Sequence, residues 1–202
     1  MNLKKIFSEI TKNLNELDQK REDILKISRA MIRNCSVAIK SIHRKEFTVY
    51  QEKINEIKKQ HQNLLNMVKE YPNIFDKYLK TPEQEYMEAV CLFEIINDQD
   101  LPNPADYNIN QINYLLGLAD VIGELRRYIL DKIRRNEIEN IEKILERMGE
   151  IHSNLFSLDY PKGLIHDLRH KVDVARSIIE KTRGDVSLSM QINRLNQNLK
   201  KE

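Results

Sequence analysis

Helical periodicity, nearly unbroken, leaves this chain few folds to choose from. Apolar residues recur at three- and four-residue spacing through residues 2–45, 47–70, 82–97, 110–133, 137–155 and 163–182, with a weaker, polar helix from about 185 to 200. No segment shows the period-two alternation of a half-buried strand. Only five Gly and five Pro occur in 202 residues, about half or less of average usage, which suits long helices joined by few turns. The expected class is all-α in a single domain, with residues 186–202 as a polar C-terminal helix or tail.

The breaks are chemically marked. "EYPN" (70–73) and "KTPEQ" (80–84) carry prolines, and in the second Thr81 is placed to cap a helix with Pro82 at its first position. "NDQDLPNPADYN" (97–108) reads as a loop, and "DYPKG" (159–163) and "TRGD" (182–185) read as turns. The N-terminal "MNLKKIFSEI" has no signal-type apolar region, and no apolar run approaches the roughly 18 residues of a membrane span, so a cytoplasmic protein with no membrane role is expected. Cys35 and Cys91 fall among apolar helical positions, as reduced core thiols do.

Charged residues make up 32% of the chain yet nearly cancel at +2, so a nucleic-acid surface has to come from local clustering. Residues 21–45 provide one. At 100° per residue, Ile24, Met31, Cys35, Ala38 and Ile42 share one side, while Lys26, Arg29, Arg33, Lys40 and Arg44 share a sector of about 60° opposite. Such a stripe is either a solvated helix face or a track for phosphates.

Two carboxylate pairs raise a different question. Glu85 and Glu88, three apart, lie in "QEYMEAVCLF", a helix apolar almost all round. Asp120 and Glu124, four apart, lie in "YLLGLADVIGEL", where like charges on one face repel. Carboxylates in such settings are neutral, paired with a cationic side chain, or bound to a cation. A hard divalent ion such as magnesium or manganese suits four oxygen donors. Arg127, three residues after Glu124, offers a salt bridge instead, and both readings stay open on spacing alone. "HDLRH" (166–170) mimics a two-histidine zinc motif but has Asp167 for the acid and no evident third ligand, and it reads well as part of a packing helix instead.

"LKISRAMI" with "AIKSIHR", "QEYMEAVCLF", and "YLLGLADVIGEL" with "RRYILDKIRRNEIE" together resemble the translin family, and within it the translin-associated factor X (Trax) branch. A weaker likeness continues through "LRHKVDVARSIIEKTRG", so that it covers roughly residues 3–185. The resemblance implies a translin-like bundle of about seven helices over residues 1–185 that assembles into closed homo-oligomers, octamers among them, and binds nucleic acid. For the Trax branch it implies a metal-dependent endoribonuclease acting on single-stranded RNA, with DNA as a further ligand. The matching acidic positions are Glu85, Glu88, Asp120 and Glu124, expected as catalytic residues and as ligands to magnesium or manganese. Lys26, Arg29, Arg33, Lys40, His43, Arg44 and Arg127 are expected to hold the RNA backbone. A non-catalytic translin-like binding protein is the alternative. With 8 Tyr, 5 Phe and no Trp, base stacking is expected to contribute little.

Overall fold

The computed structural model describes residues 2–165 and 167–199. His166 of the two-histidine segment and residues 200–202 of the expected tail lie outside them. Among the described residues the chain is all-α, with no strand: α1 (Leu3–His43), α2 (Phe47–Lys69), α3 (Pro72–Phe75), α4 (Lys80–Ile96), α5 (Gln111–Arg134), α6 (Ile141–Phe156) and α7 (Leu168–Leu199), plus 3-10 turns at Asp76–Tyr78 and Pro104–Tyr107. The chain divides into two compact units, one ending at Tyr86 and one beginning at Met87, and α4 runs through the boundary.

In the first unit α1 packs along α2, to which a three-residue turn joins it. Lys45 closes α1 in a left-handed conformation (φ 62°). Its N–H donates to the Ile42 carbonyl and the Glu46 N–H to the Ser41 carbonyl, a Schellman arrangement that satisfies the helix's last acceptors. Ile24 of α1, Leu64 and Val68 of α2, Phe75 of α3 and Leu79 form the buried cluster, with Leu17, Ile27, Leu65, Met67 and Tyr78 around it. The α1 periodicity is realised as read: Ile24, Met31, Cys35, Ala38 and Ile42 are all buried. Residues 2–16, by contrast, are exposed throughout.

In the second unit α5, α6 and α7 pack against one another. Asn110 starts α5, its side chain accepting from the N–H groups of Ile112 (2.9 Å) and Asn113 (3.4 Å). Left-handed Asn136 (φ 58°) ends it, and left-handed Asn140 (φ 62°) precedes α6. Four boundaries differ from the sequence reading, the first being the start of α6, which lies at Ile141 and not at 137. α4 begins at Lys80, so Pro82 sits inside the first turn, where a missing N–H is tolerated, and the Leu79 carbonyl accepts from Glu83. α7 begins at Leu168, not near 163. "TRGD" is not a turn: α7 continues through it, because Arg126 of α5 engages Thr182 (3.1 Å) and Asp185 (2.8 Å), which lie one helical turn apart on the same face.

Candidate functional site

The basic stripe is where the periodicity puts it. Lys26, Arg29, Arg33, Lys40 and Arg44 are all exposed, on the side of α1 opposite its buried row. His43 departs from the expectation: it is only 5% exposed, so it belongs to the interior of the protein and not to a surface that touches a backbone phosphate. A position 43 residue lies about 100° from Arg44, enough to turn it from the solvent side to the buried one. Arg127 is exposed, and its Nη1 lies 3.4 Å from Glu124 Oε2, so it serves the carboxylate one turn before it.

The four acidic residues are all half-buried. On α4 the buried side chains Tyr86, Met87, Ala89, Val90, Cys91 and Leu92 occupy most of the circumference. Glu85 and Glu88, three residues apart, share the remaining strip. On α5, Leu116, Val121, Ile122, Leu125 and Ile129 are buried, and Asp120 and Glu124 lie one turn apart at the margin of that face.

Asp120 already holds a cation. Lys171 of α7 donates from Nζ to Oδ1 at 2.5 Å and to Oδ2 at 2.7 Å, with side chains 25% (Lys171) and 27% (Asp120) exposed. No helical spacing points to Lys171, which lies 51 positions from its partner. Beside the pair lies a groove of about 450 Å³, lined by Asp120, Gly123, Asp167, His170, Lys171 and Val174 among others. Its floor at Gly123 is open, since a Cβ there would meet nothing within 4 Å.

The fit to a divalent ion is therefore partial. Carboxylate oxygens are the right donors for a hard cation. Yet no group of three or more His, Cys, Asp and Glu side chains stands at metal-holding geometry among the described residues, and both α5 carboxylates lie beside the protein's own cations. His170 of the two-histidine segment is exposed on the groove wall.

A second polar cluster lies on α4 and α5 in the same unit. The Tyr114 hydroxyl donates to Cys91. Burial pushes the Cys91 thiol up to about 12, and the hydrogen bond with Tyr114 opposes that rise. Burial also raises the Tyr114 and Tyr107 hydroxyls and the Glu94 carboxyl above their ordinary values. A thiol so far from ionising is no nucleophile.

Comparison with known proteins gives this geometry a setting. Residues 5–186 match the model of the Translin family. An uncharacterized protein of Methanocaldococcus jannaschii is 37% identical over 186 residues, 91% of this chain and 82% of the relative. The translin-associated protein X homolog of Schizosaccharomyces pombe is 24% identical over 196 residues, 86% of this chain and 82% of the relative. The structure of the AfC3PO–duplex RNA complex is similar with a TM-score of 0.83 at 29% identity, covering 94% of this chain and 98% of that one.

Proposed function

The chain belongs to the Translin family, and from that premise we propose that it is an RNA-binding protein that holds the RNA backbone on the basic face of α1 and cleaves it with the carboxylates of α4 and α5. The observation that carries the binding half is the face itself: five cations, all exposed, backed by a fully buried apolar row. The AfC3PO relative was captured with duplex RNA, which supports RNA as the ligand and extends the proposal beyond single strands. Cations of this kind contact phosphates and carry no base information, so binding is expected to be weakly sequence-selective.

For cleavage, Glu85, Glu88, Asp120 and Glu124 would hold magnesium or manganese. The ion, when bound, would polarise the scissile phosphate and lower the pKa of a water. The chain's own part is to gather negative charge at the margin of two helices while Arg127 balances Glu124. A second reading is favoured by a specific observation: Lys171 already bridges both oxygens of Asp120, which suits a binding protein whose acidic cluster is a structural ion-pair network.

Binding is tested by anisotropy of labelled RNA across a salt series. Each single-strand phosphate contact contributes about 0.7 log units of affinity per log unit of salt. Replacing Arg29 and Arg33 together by Ala should lower the slope by roughly 1 to 1.5 and weaken all RNA sequences alike. An unchanged slope with an unchanged melting temperature would make the stripe a solvated face only.

A further inference from the structure

We propose that Lys171 is a built-in counter-ion for Asp120, one that a divalent cation must displace and that therefore sets how tightly the site takes metal. The inference rests on reading Asp120 as a metal ligand, and it goes beyond that reading by making the site self-occupied. One ammonium spans both carboxylate oxygens at 2.5 and 2.7 Å, so it uses the lone pairs that a metal would use.

Three features suit a removable cation better than a fixed brace. The residue is a lysine, whose compact charge on a rotatable four-carbon stem grips a carboxylate less rigidly than the fork of an arginine. The groove of about 450 Å³ beside it, open over Gly123 and walled by His170 and Val174, gives the stem somewhere to go. The two helices that the pair joins are tied independently, since Arg126 of α5 reaches Thr182 and Asp185 of α7. Release of Lys171 would leave that tie in place.

The test measures manganese binding to the full-length protein by calorimetry, with no RNA present, for the parent, Lys171→Met and Lys171→Arg. Removing the competitor should tighten manganese binding by about tenfold, the size of a partly exposed charge-assisted hydrogen bond. It should also lower the metal-free melting temperature and enlarge the manganese-induced rise. Lys171→Arg should bind no more tightly than the parent, which separates the effect of charge from that of a perturbed fold. Should Lys171→Met not fold, the Lys171 amine is followed by NMR in the parent during a magnesium titration, and its signals should move as the site fills. Equal affinity in parent and Lys171→Met, or amine signals unmoved at saturation, would overturn the counter-ion role while leaving the metal site standing. If neither parent nor variant binds manganese, the metal reading of the carboxylates fails, and the proposal falls with it.

Discussion

Glu83 is the one carboxylate that is buried among the described residues, and its partner is His61 of α2, with Nε2 3.0 Å from Oε1. The Tyr86 ring stands edge-on to the imidazole with centroids 5.9 Å apart. The pair fixes the first turn of α4 against α2, and because Glu85 follows Glu83 by about 200° of helix it is turned away from that core. His61→Ala removes this hydrogen bond and the ring contact with Tyr86, and should destabilise the first unit by about 1 to 3 kcal/mol. Denaturant unfolding checks this, and a change of a few tenths would mean that Glu83 finds other support. Cys91 gives a pH-dependent counterpart. Its folded thiol, raised to about 12, keeps its proton where an unfolded thiol of pKa about 8.5 has lost it. Its contribution is therefore complete below that unfolded value and should fade as pH rises from about 8.5 to 12. Melting temperatures of the parent against Cys91→Ala should converge over that window, and parallel curves would count against it. At this scale the sequence was legible wherever a partner lay within a turn, as Glu124 with Arg127 does. Lys171 with Asp120 and His61 with Glu83 are pairs made by packing, 51 and 22 positions apart, and no spacing rule reports them.

Helix ends show why so little glycine suffices. α1, α4 and α5 each close with a Schellman pair of hydrogen bonds around a left-handed residue, and those residues are Lys45, Asp98 and Asn136. No glycine has positive φ; Gly123, Gly149 and Gly184 lie within helices instead. Asn136→Gly should accordingly stabilise the protein by about 0.5 to 1 kcal/mol, since glycine enters that region without strain from a Cβ. A fall in melting temperature would show that the asparagine side chain contributes more than its backbone strain removes. The same usage explains what the sequence revealed of the elements. α1, α2 and α5 were readable almost to the residue, because apolar periodicity marks them. "TRGD" was misread because Gly184 there suggests a turn, whereas tertiary contacts from Arg126 hold the helix through it.

On the scale of the whole molecule, each unit leaves an apolar row uncovered. Leu3, Ile6, Phe7, Ile10 and Leu14 on α1 are 47–60% exposed, and Leu188, Ile192 and Leu195 on α7 are similarly open. Rows of this length at helical spacing are surfaces for association, in line with the self-assembly that the family resemblance implies. Sedimentation at micromolar concentration should give a species several times the 24.0 kDa chain mass, and a stable monomer would contradict this. No helix among the described residues is long and apolar enough to cross a membrane. The central claim is that carboxylates of α4 and α5 cleave RNA that a separate basic face holds, and metal-dependent cleavage tests it most directly. Labelled RNA is incubated with the parent protein and with Asp120→Asn, each with manganese and with chelator. The account predicts internal cleavage by the parent only when manganese is present, and loss of most of that cleavage in Asp120→Asn with RNA affinity retained. Cleavage at the parent rate by Asp120→Asn, or binding without cleavage by the parent under every metal condition, would contradict it.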